Sequence, residues 1–252
     1  MTDAPIAGAP SSRARAPAGL LVITGTGTGV GKTIVTAAIA ALARAAGRGV
    51  AVVKPAQTGV KDGDPGNSDL PDIETITRLS GVTDTHELAR FPDPLSPEAA
   101  ARVSGLPPLD VPAAAGYIAK LAAGRDLVLV EGAGGLLVRY DPAGRTLADL
   151  ALALNAPVLV VAAASLGTLN HTALTCEALS ARGLACAGVV IGSWPRDPGL
   201  DGEQNLADLP VAAGAPLVGV LPEGAGTLTA VDFLRVAGDG LAPPLGGSYC
   251  PA

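Results

Sequence analysis

The chain has 252 residues, of which 48% are hydrophobic and 16% charged, enough apolar material for one sizeable α/β core and nothing that forces a second. A net charge of −6 and a pI near 4.9, with only 2% aromatic residues, argue against a nucleic-acid partner, which needs a basic surface and stacking platforms. Three cysteines, Cys176, Cys186 and Cys250, stand at no metal-ligand spacing and are odd in number, and no apolar window reaches membrane-spanning length, so a soluble cytoplasmic protein without a disulfide framework is expected.

Residues 1–18 carry two arginines but no apolar run, which reads as a disordered extension and not a secretory signal; composition alone does not separate it from an organellar transit peptide. Leu20 to Ile23 then form an apolar strand that ends in Gly25–Thr33, GTGTGVGKT, and an Ala-rich helix is expected from Ile34 to Ala46. Strand, glycine loop and helix in that order make a phosphate-binding loop, whose N–H groups converge on an anion in front of the positive end of the helix. Lys32 would reach the β- and γ-phosphates, and the Thr33 hydroxyl is placed for Mg²⁺. Counting back from Gly31, the position of the usual first glycine holds Thr26, and Gly25 stands one residue early.

A second strand, Val50 to Val53, runs into Lys54-Pro55-Ala56-Gln57-Thr58-Gly59. A cation at the carboxyl end of a strand lies where open α/β sheets bind ligands, and Pro55 holds Lys54 extended. Residues Val60 to Pro71 read as loop, and Asp72 opens a helix with Ile73, Ile76 and Leu79 on one face and Gly81 as its stop. Asp72 is suited either to capping that helix or to a metal, in competition with Asp62, Asp64 and Asp69. From His86 to Pro112 the chain is Pro-rich and irregular apart from a short helix at Pro97, a pattern common in loops that carry substrate contacts. Val111 to Ala123 is a helix, and Asp126 to Glu131 a strand that ends in an acid followed by Gly132-Ala133-Gly134-Gly135. Beside a phosphate loop, such an acid meets Mg²⁺ from the sheet side.

Further helices are expected at 146–154, 172–182 and 229–236, further strands at 157–163, 186–191 and 217–221, and a flexible tail over 238–252. Continuous apolar strands alternating with helices predict an α/β fold: a single, mostly parallel sheet with helices on both faces, like a P-loop NTPase, over residues 19–237.

GTGTGVGKT, KPAQTG, Asp72, VEGAGG and LGTLNH, in this order from about Leu20 to Val236, resemble the dethiobiotin synthetase family. The combination of KPAQTG with VEGAGG is more specific than the phosphate loop alone, and the family's loop shares the displaced glycine. The resemblance implies a ligase of biotin biosynthesis that uses ATP, Mg²⁺, CO₂ or bicarbonate and 7,8-diaminononanoate, and that works as a homodimer. It implies catalytic roles for Lys54 and Lys32, and Mg²⁺ held by Thr33, Asp72 and Glu131. Nucleotide contacts would come from Gly29, Val30, Gly31, Lys32, Thr33 and Ile34 in the loop, and from Asp72, Glu131, Gly132, Ala133 and Gly134. Thr28, Lys54 and Thr58 would meet the carbamylated amine end of the substrate, Gly134 and Gly135 its chain, and Gly167, Thr168, Leu169 and Asn170 its carboxylate across the dimer interface. Family members often read adenine with an Asn after the sixth strand. Here Gly192 stands there, so backbone groups around Gly192, Ser193, Leu221, Pro222 and Glu223 are expected to replace it, and base preference stays open.

Two other classes share parts of this pattern. Partition and division switch ATPases have the loop but also a second lysine early in it, where this chain has Gly27. Amidotransferase ligases need a glutaminase domain, which is not expected in the short stretch after Val236.

Overall fold

The computed structural model describes residues 19–60 and 70–250. In chain order the elements are β1 (Gly19–Gly25), α1 (Lys32–Ala45), β2 (Val50–Lys54), β3 (Gln57–Thr58), α2 (Asp72–Ser80), β4 (Thr85–Glu87), β5 (Arg90–Phe91), α3 (Pro97–Ser104), α4 (Val111–Ala122) and β6 (Leu127–Gly135). There follow α5 (Leu147–Ala153), β7 (Val158–Ala162), α6 (Thr168–Ser180), β8 (Cys186–Trp194), α7 (Gly199–Ala213), β9 (Leu217–Pro222) and α8 (Ala230–Gly240). Seven strands form one sheet in the order β4-β2-β6-β1-β7-β8-β9, and β3 pairs with β5 in a small second sheet. All the pairings between these strands are parallel.

Apolar residues on both faces of the strands explain this arrangement, since a parallel sheet must be covered on each side. On one face Val22, Val128, Val130 and Val160 pack with Ile118 of α4, Leu147 of α5 and Leu179 of α6. On the other, Ile23, Val52, Leu129 and Val161 pack with Val35 and Ile39 of α1, Ile76 of α2 and Phe233 of α8. The chain order reverses direction across the sheet at β1, so the carboxyl ends of β1, β2 and β6 open on a common crevice, the usual ligand position of this architecture. No helix among the described residues is long and apolar enough to cross a membrane.

Four expectations change. The irregular stretch after His86 begins instead with strand β4, which pairs with Val52, Val53 and Lys54 at the sheet edge. Thr85-His86-Glu87 has no apolar signal because an edge strand is half solvated. Strands β6 and β8 run on through Gly135 and Trp194, so the glycines after Glu131 are part of a strand and not a loop beyond it. Helix α7 has no counterpart in the apolar pattern: its buried positions are Gly202, Asn205 and Leu209, and Pro210 lies inside it, so hydropathy and propensity both hide it. Asn205 is there to donate to the Ala164 carbonyl at 2.8 Å.

The tail expected to be flexible from residue 238 is packed as far as the described chain goes. Leu241 bridges Gly219 in antiparallel fashion, Leu241 and Leu245 are buried, and a 3-10 turn covers Pro243–Leu245. A side chain at Gly247 would meet the Leu241 carbonyl oxygen at 2.0 Å. The glycines that read as disorder are therefore needed for close backbone packing. Residues 1–18 and the final two residues lie outside the described chain.

Candidate active site

Strand β1 delivers the chain to the loop, and Gly29 and Gly31 turn it with φ of 76° and 94°. Gly31 is the N-cap of α1 and supplies no side chain to cap the helix, whose first turn holds no acid. The leading N–H groups of α1 are thus left for an external anion. A side chain at Gly31 would strike the Gly192 carbonyl oxygen at 2.4 Å, and one at Gly192 would strike the Val30 carbonyl oxygen at 2.2 Å. These two glycines let the loop rest directly on the end of β8. Lys32 is buried and donates to the Gly27 carbonyl at 2.9 Å, spanning the loop it belongs to. Burial, and then the neighbouring Lys54 ammonium, push the Lys32 ammonium below the usual lysine range against the pull of Glu131 and Asp72.

Three elements converge beside it. Lys54 ends β2, Asp72 opens α2 and Glu131 lies within β6. Lys54 Nζ sits 2.5 Å from Asp72 Oδ2 and 2.9 Å from Glu131 Oε1, and also donates to the Gly132 carbonyl at 3.1 Å. Its side chain is 4% exposed and that of Glu131 1%. Burial alone would lower the Lys54 pKa, but the Glu131 and Asp72 carboxylates override it, and the net shift is upward. For Asp72, burial pushes upward and the Lys54 ammonium outweighs it, so its carboxyl lies below the usual range. Thr33 Oγ1 lies 2.9 Å from Asp72 Oδ1 and 3.0 Å from Glu131 Oε1, a contest for one hydroxyl proton.

The donor set fits Mg²⁺. Two carboxylates and a hydroxyl are hard oxygen ligands that meet at the mouth of a phosphate loop, and Glu131 Oε2 is buried without a hydrogen-bond partner. Such an orphaned oxygen is costly unless a cation satisfies it. Asp72 joins this cluster, whereas Asp62, Asp64 and Asp69 lie outside the described residues.

A cleft of about 850 Å³ opens over the cluster, bordered by Thr28, Gly29, Gly31, Lys32, Thr33 and Ile34, by Lys54, Gln57, Thr58 and Asp72, and by Glu131, Ala133, Gly134 and Val138. Its outer wall is Pro94 to Pro97, the Pro-rich segment expected to carry substrate contacts. A second recess of about 320 Å³ shares Thr28 and Gly29 and continues to Val30, Ser165, Ser193, Asp201 and Glu223. Gly192 lies beneath the loop and does not border the recess, whereas Ser193 does; Leu221 is buried in the core. Pro222 is on the surface outside the recess, and Gly132 and Gly135 border neither cavity. A side chain at Gly132 would meet Leu147 at 2.4 Å, so its role is to let β6 pass α5 closely.

Gly167 to Asn170 border neither cavity of their own chain. They form the left-handed N-cap and first turn of α6, four residues ahead of the helix start expected at Thr172. Two residues at the site escape sequence reasoning. Gln57 accepts from the Asp72 N–H at 3.1 Å, and the fully buried Tyr140 accepts from the Ala133 N–H at 3.1 Å, steadying the glycine segment of β6. Both are uncharged residues in segments without periodicity; only the proximity of Gln57 to Lys54 in KPAQTG signals it.

A parallel sheet with a glycine loop between β1 and α1 and an acid on a neighbouring strand defines a P-loop nucleoside-triphosphatase fold. The septum site-determining protein MinD from Pyrococcus horikoshii, solved with Mg-ADP, matches with a TM-score of 0.55 at 20% identity over 86% of this chain and 93% of its own. The cell-division ATPase MinD from Pyrococcus furiosus matches at 0.56, with 21% identity over 87% and 97%; at such identities the likeness is one of fold. A family model described as an AAA domain matches residues 20–228. The ATP-dependent dethiobiotin synthetase BioD of Frankia casuarinae is 61% identical over 91% of this chain and 94% of its own length. Those of Rhodococcus jostii (60%, over 85% and 90%) and Streptomyces avermitilis (58%, over 91% and 94%) agree. The chain belongs to the dethiobiotin synthetase family.

Proposed function

We propose that the chain uses ATP to close the ureido ring of dethiobiotin from 7,8-diaminononanoate and CO₂, releasing ADP and phosphate. The observation that carries this reading is Lys54, buried between two carboxylates on the floor of the same cleft that holds the phosphate loop, Thr28 and Thr58. One amine of the substrate takes up CO₂ to form a carbamate, a carbamate oxygen takes the γ-phosphoryl group as ADP leaves, and the second amine attacks the resulting anhydride carbon as phosphate leaves. The physical difficulty is the repulsion between a carbamate and a triphosphate. Lys32 and Lys54 would meet it with two buried cations in the wall of one cleft. Thr33, Asp72 and Glu131 would hold Mg²⁺, which when bound neutralises charge on the phosphate oxygens. Ring closure then requires mainly that the second amine stay close to the anhydride carbon.

Thr28 borders both cavities, which suits a loop that serves the triphosphate on one side and the attacking carbamate on the other. Ser193 and Glu223, which border the smaller recess, would meet the base there. Because Gly167 to Asn170 lie off the cleft, they serve the substrate carboxylate of a partner copy in a homodimer.

Incubation with diaminononanoate, bicarbonate and a panel of nucleoside triphosphates, followed by product analysis, tests this reading. Dethiobiotin and an equal amount of nucleoside diphosphate are expected only when the diamine is present. Hydrolysis equally fast without the diamine would overturn the synthetase reading in favour of a switch ATPase.

A further inference from the structure

Gln57 is 94% buried, with a relative exposure of 6%, and both ends of its side-chain amide are engaged. Oε1 accepts from the Asp72 N–H at 3.1 Å, and Nε2 donates to the Thr58 carbonyl at 3.1 Å. Partners of opposite character fix the orientation of the amide, since a flipped group would set donor against donor and acceptor against acceptor. Its own backbone is pinned as well: the Gln57 N–H donates to the Ala89 carbonyl at 2.9 Å, and β3 pairs with β5 at Arg90.

Helix α2 needs such a partner. Its N-cap is Pro71, which has no side chain able to accept a hydrogen bond, and the helix carries no side-chain cap of its own. The N–H groups of Glu74 and Thr75 turn back to the Pro71 carbonyl, while that of Asp72 has no acceptor within the helix. Gln57, fifteen residues earlier in the chain, satisfies from outside the N1 donor, which even a Ser, Thr or Asp N-cap, accepting from N2 or N3, would leave open. The residue held in this way is the one whose carboxylate faces Lys54 and Thr33.

We propose that Gln57 is a positioning residue for Asp72, an external cap that sets the first turn of α2 and with it the geometry of the proposed Mg²⁺ ligands. This rests on the assignment of Asp72 to the metal. One motif, KPAQTG, then has two functions: Lys54 brings the cation, and three residues on Gln57 aligns the opposing carboxylate. The bond to the Thr58 carbonyl ties the same side chain to the proposed substrate end of the motif, so the metal side and the substrate side of the cleft share one rigid amide.

The test is calorimetric ADP binding by the full chain across a Mg²⁺ series, for the wild type, Asp72→Asn and Gln57→Met. Methionine keeps the stem and loses both bonds. With Mg²⁺ removed by chelator, Gln57→Met is expected to bind ADP like the wild type. The Mg²⁺ concentration giving half of the gain in affinity should rise about five- to tenfold, the scale set by one buried N–H losing its partner. A Gln57→Met requirement equal to wild type while Asp72→Asn raises it overturns the positioning role. No effect of Asp72→Asn overturns the metal assignment itself and this role with it. Hydrogen exchange in the wild type is a second arm free of any folding defect: an Asp72 N–H protected like the interior of α2 supports the cap, and exchange as fast as an open helix end overturns it.

Discussion

Lys54 is enclosed by opposite charges, which gives it a role in the resting protein beside the one proposed for it in turnover. In the structure its ammonium balances Asp72 and Glu131, both within 2.9 Å. Removing one member of a buried charge group costs about 3–5 kcal/mol, because the remaining charge has no partner. Lys54→Met is therefore expected to lower stability in urea unfolding by that order in the absence of Mg²⁺, and Mg²⁺ should restore much of it by replacing the lost cation. A variant as stable as the wild type in chelator would show that the carboxylates do not depend on Lys54. The pH dependence has a definite sign. The Asp72 carboxyl is lowered in the folded state from a reference of 3.8, so the stability it contributes is complete well above that value and is lost as pH falls through the folded value. The gap between wild type and Lys54→Met should accordingly narrow at acid pH. Lys54 was legible in the sequence because a charge at the end of an apolar strand breaks the pattern. Gln57 and Tyr140 were not: an amide and a phenol acquire their roles only when folding brings the Asp72 and Ala133 N–H groups to them.

At the level of elements, strands β1, β2, β6 and β7 were readable because they are apolar on both faces, and α2 because Gly81 stops its apolar face. The start of α4 is fixed by Asp110, which accepts from the Ala113 N–H at 2.9 Å, as an N-cap should. Elements that bury glycine and asparagine in place of aliphatic side chains leave no such trace, and α7 is the example. The C-terminal segment is a second. It was expected to be loose because it is rich in Gly and Pro, yet Leu241 and Leu245 enter the core beside α8 and β9, and the Ala242 N–H donates to the Val218 carbonyl at 2.9 Å. Burying two leucines is worth roughly 3–6 kcal/mol as an upper bound. A chain ending at Gly240 should therefore unfold at clearly lower urea concentration than the full chain. Equal midpoints would mean that these residues do not hold the last strand and helix in place. Because α8 also packs on α1, loss of the segment is felt at the helix that follows the phosphate loop.

The molecule as a whole brings the phosphate loop, the two lysines and the carboxylates together within one chain, and leaves the LGTLNH segment on the outside. That division was only half visible in the sequence: motif order placed the nucleotide side, but no one-dimensional pattern says which motifs share a cavity. Beside Gly167 to Asn170 the surface is apolar, with Leu166 at 86% exposure, Leu200 at 75% and Leu174 at 56%. Such side chains gain about 25 cal/mol for each Å² removed from water, and a second copy placed there would cover them, as the homodimer proposed above requires. Light scattering should therefore report a dimer, and Leu166→Glu combined with Leu174→Glu should shift it toward monomer by burying charge at the contact. The two functions of the cleft respond differently. The phosphate loop, both lysines and the two carboxylates belong to one chain, so ADP affinity should stay near the wild-type value, while KM for the diamine should rise severalfold if the partner copy meets the substrate carboxylate as proposed. A monomeric variant with an unchanged diamine KM would place the carboxylate site elsewhere in the same chain; loss of ADP affinity in step with the dimer would instead make the phosphate loop itself dependent on the partner.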